Sequence, residues 1–232
     1  MSERDFRAIP PRKRIREKRA IPMPEQPPEE RIRNFSEVPL GYTAAMAMEE
    51  ALRCYECKAE KARCVPNCPV GIDIPRFIAQ VAAEDFHGAY QTISEDNMLP
   101  SICGRVCPQE TQCQSECIAK VKGEAVSVGR LERFIGDWHR EQNAPGDGNG
   151  VPEDAPKVAV IGSGPAGLTC AADLARLGYP VTVFEALHEA GGVLVYGIPE
   201  FRLPKTIIRN EVQNIERMGV KFYYNALLSP EG

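Results

Sequence analysis

The chain has 232 residues, of which 43% are apolar and 26% are charged, as in an ordinary globular protein. Lys and Arg number 28 against 32 Asp and Glu, and the net charge of −4 argues against a nucleic-acid or membrane-surface binder. No stretch reaches the roughly 18–20 successive apolar residues of a membrane-spanning helix, and no apolar segment typical of a secretory signal follows the N-terminus. We therefore expect a cytoplasmic protein whose thiols stay reduced.

Residues 1–34 are predicted to form an N-terminal arm. Six of the eight residues from Arg12 to Arg19 are basic, and several prolines follow closely. Proline fixes φ and lacks a hydrogen-bond donor, so little regular structure is expected. A charge run of this kind is typical of a solvated tail, and a docking arm for an acidic partner is the alternative.

Residues 35–142 have helical periodicity and no strand signal between 43 and 140. Four helices are predicted, over 44–52, 74–83, 86–93 and 126–139. Thr43 is placed to cap the first helix, whose apolar positions are Ala45, Met48 and Leu52. The last helix has one apolar stripe, formed by Val128, Leu131, Ile135 and Trp138. This pattern predicts a small all-helical domain with cysteines on its loops and helix ends.

Cysteine is the most informative residue type in this domain. Eight of the nine cysteines lie between Cys54 and Cys117, and the ninth, Cys170, stands apart. An odd number, tight clustering and the lack of an export signal argue against a disulfide framework. Metal or iron–sulfur ligation is therefore the better interpretation.

The eight cysteines form two groups, C-x2-C-x6-C-x3-C-P and C-x3-C-P-x4-C-x3-C. The positions are Cys54, Cys57, Cys64, Cys68, Cys103, Cys107, Cys113 and Cys117. Closely spaced cysteines on a turn can reach adjacent irons of a cubane, and a Cys-Pro step is typical of such sites. Two closed four-cysteine zinc sites are the alternative, but zinc cysteines usually come as short pairs separated by a spacer.

A linker is predicted over residues 143–156, which contain three glycines and three prolines. Beyond it, residues 157–232 begin with a short apolar run, a helical pattern and a second apolar run. This is the strand–helix–strand order of a parallel βαβ unit.

A dinucleotide-binding motif lies in this unit. The string G-x-G-x-x-G occupies residues 162–167, between the first strand and its helix, and Glu185 ends the second strand. Gly162 would allow the tight turn, Gly164 the approach of a pyrophosphate, and Gly167 the packing of helix on strand. Glu185 would accept hydrogen bonds from ribose hydroxyls. An acidic residue there disfavours a 2′-phosphate, so FAD or NAD(H) is predicted rather than NADP(H).

Three stretches of the cysteine-rich domain resemble the N-terminal iron–sulfur domain of the glutamate synthase small subunit. They are CVPNCPVGIDIPRFI (64–78), CGRVCPQETQC (103–113) and GRLERFIGDW (129–138). The same domain occurs in the large subunit of NADH-dependent ferredoxin:NADP oxidoreductase and at the N-terminus of dihydropyrimidine dehydrogenase. The resemblance implies an all-helical domain with two 4Fe–4S clusters, followed by the first βαβ part of a Rossmann-type FAD domain.

The resemblance also implies a set of cluster ligands. One cluster would be held by Cys54, Cys57, Cys64 and Cys117. The other would be held by Cys68, Cys107, Cys113 and a carboxylate, Glu132. Cys103 would then be a buried bystander, whereas a count of cysteines alone gives Cys103 the eighth corner. A carboxylate is a harder donor than a thiolate and would shift the reduction potential of its cluster.

For the second domain, the segment EAGGVLVYGIPEFRLPK (189–205) resembles the part of this family that continues along FAD. The predicted FAD contacts are Gly162, Gly164, Ala166, Gly167, Glu185, Gly191, Gly192 and Leu194. Cys170 is expected to be a small buried core residue of the helix, and the three histidines are given no role.

The resemblance implies an oxidoreductase, the electron-transfer subunit of an NADPH-dependent glutamate synthase. Hydride from NADPH would reach FAD, and single electrons would pass through both clusters to FMN in a partner subunit that makes glutamate. The family's NADPH domain is not recognisable, so we expect part of a longer reductase that works in a hetero-oligomer. No catalytic residue is nominated. The alternatives are an electron-bifurcating ferredoxin:NADP oxidoreductase subunit, a ferredoxin-like carrier and a structural zinc module.

Overall fold

The structure is a computed structural model of the chain in which residues 18–58, 61–142 and 155–228 are described. The basic run up to residue 17 and most of the predicted linker, residues 143–154, lie outside the described residues. The chain divides into two compact units. The helical unit comprises Met1–Arg31 and Val38–Gln142, and the nucleotide unit comprises Ile32–Glu37 and Asn143–Gly232.

The described residues of the helical unit form six α-helices. They are α1 Pro28–Arg31, α2 Ala44–Ala51, α3 Ile74–Ala82, α4 Phe86–Ser94, α5 Pro100–Val106 and α6 Val128–Glu141. Two 3-10 turns, Gln109–Thr111 and Ile118–Val121, lie between α5 and α6. In these residues β pairing is limited to one bridge, between Glu25 and Pro39. The prediction of an all-helical domain is confirmed.

Short polar side chains set where the first long helices begin. Thr43, the predicted cap of α2, accepts a hydrogen bond from Met46 N at 3.3 Å. Asp85 caps α4 by accepting one from Gly88 N at 2.9 Å. Helix α6 begins at Val128, two residues later than predicted, and α5 is not among the predicted helices. The α5 sequence lacks an apolar stripe, and Pro100 in its first turn marks its start.

The inward face of α2 differs from the prediction. Ala45, the first residue of the expected stripe, is exposed, whereas Glu50 is fully buried. Burial of this carboxylate is compensated by Arg53 at 2.6 Å and by hydrogen bonds from Ser127 N at 2.7 Å and Ile21 N at 2.8 Å. Glu50 therefore joins the N-terminal segment, α2 and the start of α6 at one buried point.

The core of the helical unit is apolar and centred on α6. The predicted stripe is confirmed, with Val128, Leu131 and Ile135 buried and Trp138 packed against the core. Phe86 of α4 lies edge-on against Phe134, with ring centroids 5.1 Å apart, and against Trp138 at 5.7 Å. Helix α4 is thereby held against α6.

Helices α5 and α6 approach so closely that their backbones touch. A Cβ atom on Gly104 of α5 would lie 2.6 Å from Arg133 Cα, and one on Gly136 of α6 would lie 2.6 Å from Ser101 N. Arg105 of α5 adds a two-pronged ion pair with Asp137, at 2.8 and 2.7 Å. These contacts fix the axial register of the two helices.

The nucleotide unit has a parallel sheet with helices between its strands. Its described elements are β1 Val158–Ile161, α7 Pro165–Arg176, β2 Val181–Phe184, α8 Val193–Tyr196, α9 Lys205–Arg217 and β3 Lys221–Tyr223. The strand order is β1-β2-β3, and Val183 of β2 lies opposite Val160 on one side and Phe222 on the other. The predicted βαβ start of a Rossmann-type domain is confirmed.

The prediction for Cys170 is wrong. Cys170 lies in α7, but its side chain is exposed in the nucleotide unit. The face of α7 that packs inward consists of Leu168, Ala171, Ala172 and Ala175. Cys170 lies about 100° around the helix from Ala171, beyond the edge of that face.

We predict that Gly104→Ala destabilises the helical unit, because the new methyl group collides with the backbone of Arg133. Overpacking of this kind costs about 1–3 kcal/mol. Thermal unfolding followed by circular dichroism measures the effect. Ala45→Ser, on an exposed position of α2, is the matched control and should change stability by less than about 0.5 kcal/mol. Equal melting curves for the two variants would contradict the close contact.

Candidate cluster and nucleotide sites

Four cysteines of the helical unit line one cavity of about 460 Å³: Cys54, Cys57, Cys64 and Cys117. Cys54 follows α2, and Cys117 comes directly before the second 3-10 turn. The inner wall is apolar and consists of Ile74, Ile78, Val126 and Val128. Residues far apart in the sequence thus bring four thiols around one space.

Two thiols of this first group, Cys54 and Cys64, do not ionise readily without a bound cation. Burial, followed by the neighbouring Cys117, Cys64 and Cys57, raises the pKa of Cys54 to about 12. Burial and the same kind of repulsion also raise the pKa of Cys64 to about 12. Several thiolates close together therefore require a positively charged group among them, which is how a metal or cluster site behaves.

The second site consists of Cys68, Cys107, Cys113 and Glu132 of α6, which interact electrostatically. Burial and the charge of Glu132 raise the pKa of Cys113 to about 12 and that of Cys107 to about 11, and Cys68 interacts electrostatically with both. Glu132 of α6 is only 6% exposed, and burial raises its pKa to about 7. The structure thus brings the predicted carboxylate to the three predicted cysteines. Cys103 also lies close enough to Glu132 to feel its charge, which together with burial raises the pKa of Cys103.

Asn97 connects the two candidates for the eighth ligand. Its Nδ2 donates a hydrogen bond to Glu132 Oε1 at 2.7 Å, and its Oδ1 accepts one from Cys103 Sγ at 3.6 Å. The same Oδ1 accepts a bond from Leu99 N at 2.9 Å, which fixes the amide at the start of α5. Among the described residues, Glu132 Oε2 has no hydrogen-bond donor, so it is the oxygen available to a metal. No spacing in the sequence indicates this role for Asn97.

A single zinc ion fits these groups poorly. Four sulfurs about 2.3 Å from one ion lie about 3.8 Å from each other. Within residues 18–58, 61–142 and 155–228, no three Cys, His, Asp or Glu side chains come close enough to share one metal ion. At the first group, soft thiolate donors around a cavity of about 460 Å³ suit an iron–sulfur cluster instead.

In the nucleotide unit, the glycines of residues 162–167 have the geometry that the motif requires. Gly162 adopts a φ of +89°, and a Cβ on Gly167 would collide with the carbonyl of Gly162. Apart from Gly164 and its two chain neighbours, no atom of the described residues lies within 4 Å of the position that a Cβ of Gly164 would occupy. Gly164 therefore leaves open space at the N-terminus of α7, where a phosphate can approach the backbone. Ala166 is exposed on the first turn of that helix.

The predicted glycine pair packs directly on this loop. Gly191 N donates a hydrogen bond to Ser163 O at 3.0 Å, and a Cβ on Gly192 would lie 3.0 Å from Gly164 Cα. Leu194 follows in α8, with its side chain buried in the unit. The structure thus brings these two segments, about 28 residues apart, to the same edge of the sheet.

Glu185 lies beside the glycine loop at the end of β2. It accepts hydrogen bonds from Ser163 N at 2.8 Å, from Ser163 Oγ and from Leu187 N at 2.8 Å. Burial acts to raise its pKa, but these hydrogen bonds together lower the pKa below its ordinary value. The carboxylate is therefore ionised at neutral pH and can accept hydrogen bonds.

Lys205 is a positioning residue that sequence reasoning missed. Its ammonium group donates to the carbonyl oxygens of Leu194 at 3.0 Å, Leu203 at 3.3 Å and Ile198. It thereby holds the segment after the glycine pair against the start of α9. A lysine that follows a proline and begins a helix gives no sequence signal for this role.

Comparisons with known proteins bear on both units. Residues 31–144 match the family model described as dihydropyrimidine dehydrogenase domain II, 4Fe-4S cluster, and residues 160–200 match an NAD(P)-binding Rossmann-like domain. The PreT subunit of NAD-dependent dihydropyrimidine dehydrogenase from Escherichia coli is 39% identical over 82% of the chain and 46% of PreT. The small chain of NADPH glutamate synthase from the same organism is 35% identical over 87% of the chain and 42% of its own length. The chain is a homologue of these oxidoreductase subunits.

The resemblance found in the sequence is therefore confirmed, as are an iron–sulfur domain and a Rossmann-like segment. The E. coli protein UacF, 41% identical, is matched over 30% of its length, so the chain spans less than half of these three relatives. Histamine dehydrogenase from Rhizobium sp. 4-9 aligns with 68% of the chain at 20% identity and a TM-score of 0.34. No helix within the described ranges has the length and apolar character needed to cross a membrane.

Two glycine variants separate binding from stability in the nucleotide unit. Gly164→Ala places a methyl group in open space, so we expect weaker binding of FAD, the dinucleotide predicted from the sequence, with an unchanged melting temperature of the cofactor-free protein. Gly167→Ala collides with Gly162 and should cost about 1–3 kcal/mol. Fluorescence titration with FAD and thermal unfolding measure the two effects. If both variants lost stability equally, the space at Gly164 would not be open.

Proposed function

We propose that the chain is the cluster-bearing part of an electron-transfer subunit of the NADPH-dependent glutamate synthase type. The observation that carries the proposal is the arrangement of the cysteines. Four of them line one cavity, and three others lie around a buried carboxylate. We nominate no catalytic acid, base or nucleophile at these sites. The protein's part is to hold and tune the redox groups.

The ligand set that we propose follows these two groups. One 4Fe–4S cluster is held by Cys54, Cys57, Cys64 and Cys117, and the other by Cys68, Cys107, Cys113 and Glu132. One fact supports Glu132 over Cys103 as the eighth ligand. Glu132 Oε2 has no hydrogen-bond donor among the described residues, while Oε1 is held by Asn97 at 2.7 Å.

For the nucleotide unit we propose FAD as the bound group, which when bound exchanges a hydride for single electrons. Gly162, Gly164, Ala166 and Gly167 would face its pyrophosphate at the N-terminus of α7. Ionised Glu185 would accept hydrogen bonds from the ribose hydroxyls. Further contacts with FAD would come from Gly191, Gly192 and Leu194. The division into an arm (1–34), a cluster domain (35–142), a linker (143–156) and an FAD domain (157–232) belongs to the same proposal.

In this proposal, electrons from NADPH leave through the two clusters to a partner subunit in the cytoplasm, where glutamate is made. The similarity to the glutamate synthase small chain supports this acceptor. The PreT subunit, named for dihydropyrimidine dehydrogenase, is similar to about the same degree and supports pyrimidine reduction as the second candidate. The two candidates are distinguished by assaying the complete protein with the partner subunit of glutamate synthase and, separately, with that of dihydropyrimidine dehydrogenase.

The ligand assignment is tested by metal analysis of protein purified without oxygen. We expect about eight irons and eight labile sulfides per chain, the content of two cubanes, with little zinc. Glu132→Ala should alter or lose one cluster in the electron paramagnetic resonance spectrum, whereas Cys103→Ala should keep both. The reverse result would make Cys103 the eighth ligand. Stoichiometric zinc without sulfide would replace the redox function with a structural one.

Asn97→Leu provides a second test of the carboxylate site. Loss of the amide removes the donor to Glu132 Oε1, so we expect a changed spectrum and potential for one cluster only. The matched control is Thr92→Val, because Thr92 also makes a buried side-chain hydrogen bond, to Gln80 at 2.8 Å. Both variants should lose about 1–3 kcal/mol of stability. A spectral change of equal size in the Thr92 variant would mean that Asn97 acts only through stability.

A further inference from the structure

The first cysteine cavity has an exposed apolar rim. Tyr55, Ile118 and Val121 line the cavity and yet are 44%, 55% and 81% exposed. Tyr55 directly follows Cys54 in the chain, and Ile118 directly follows Cys117. Large apolar side chains that are grouped and exposed, with polar residues around them, mark interaction surfaces. We call Tyr55, Ile118, Val121, Lys61 and Lys120 the rim surface.

The charge of the rim surface is opposite to that of the whole chain. The cavity lining contains the basic residues Lys61, Arg63 and Lys120 and one acidic residue, Glu116. Arg63 is 3.5 Å from Glu116, whereas neither lysine makes an ion pair in the part of the chain that the structure describes. The rim therefore carries positive charge on a chain whose net charge is −4.

We propose that the rim surface is the docking site for a partner protein with an acidic surface around a one-electron centre. This proposal rests on the proposed function, because it places the electron exit at the first cluster site. Charge complementarity identifies the partner as acidic.

The size of the rim surface also fits a transient redox contact. Electron-transfer encounters bury less than about 1,200 Å² in total, whereas obligate interfaces are larger and more hydrophobic. Three apolar side chains and two lysines in one cavity lining form a small set, which suits the smaller kind. A partner seated there lies one residue from Cys54 and Cys117. One electron passes between the two centres, so one is oxidised as the other is reduced, and no bond forms or breaks.

The proposal is tested by anaerobic stopped-flow kinetics on the cluster-loaded protein. The probe is a reduced plant-type 2Fe–2S ferredoxin, which is acidic and donates one electron. We expect Lys61→Glu with Lys120→Glu to slow the reaction about tenfold at low ionic strength, and the difference to vanish at high salt. With basic cytochrome c as acceptor from the reduced protein, the same variant should react faster than the wild type. Val121→Ser should slow the ferredoxin reaction at all salt concentrations.

Arg217→Glu in α9 with Lys221→Glu in β3 is the control of equal charge change outside the helical unit, and its rates should match those of the wild type. Equal reduction by dithionite in all variants shows that the clusters are intact. If the rim double variant then reacts at the wild-type rate, or if the Arg217 and Lys221 control variant has the same effect, the docking site is wrong. Absence of iron and sulfide from the wild type would instead overturn the proposed function itself.

Discussion

The direct backbone contact between α5 and α6 is the constraint on which the second cysteine site depends. Gly104 and Gly136 leave room for this contact, since a Cβ on either residue would meet the opposite backbone. Because the helices cannot slide past each other, Cys103 on α5 and Glu132 on α6 keep one relative position. Asn97 can then bond to both side chains at once. A chain that could not bring the two helices together would hold the same residues without forming the site.

The two cysteine sites differ in their surroundings, and the difference suits different tasks. The first has an apolar inner wall and an exposed rim, so a partner can approach its thiols closely. The second combines three cysteines with Glu132, which is 6% exposed and hydrogen-bonded to Asn97. A buried carboxylate donor and its hydrogen bond are the features by which a protein tunes a cluster's potential. In the proposed relay, the first site would therefore exchange electrons with a partner, and the second would hold a cluster whose reduction potential is tuned by Glu132.

The sequence predicted most of the fold because its signals were local. Caps such as Thr43, the stripe of α6 and the glycine string of α7 each depend on residues close together in the chain. The errors have a common physical cause, which is that tertiary contacts decided the outcome. Glu50 lies inside because Arg53 compensates its charge, and α5 forms without an apolar stripe because it packs through Gly104.

The candidate cluster residues came from the spacing of cysteines and from a family resemblance, in unequal shares. Spacing identified the thiols but did not divide them between two sites. Glu132 stood apart from every cysteine in the sequence, so only the resemblance pointed to it, and the structure brings it to Cys107 and Cys113. Asn97 gave no signal at all. Its role depends on a turn that places one amide between two helices, and that placement is a property of the folded chain.

The buried carboxylate of Glu50 also bears on the order in which the protein is made. Ala20 N donates a hydrogen bond to Glu124, 104 residues further along the chain, and Glu50 reaches both Ile21 and Ser127. During synthesis, the contacts of the N-terminal segment with Glu124 and with the Glu50–Ser127 pair can therefore form only after the ribosome has passed residue 127. All eight clustered cysteines have been added by then, and the segment can bond to both Glu50 and Glu124 only afterwards.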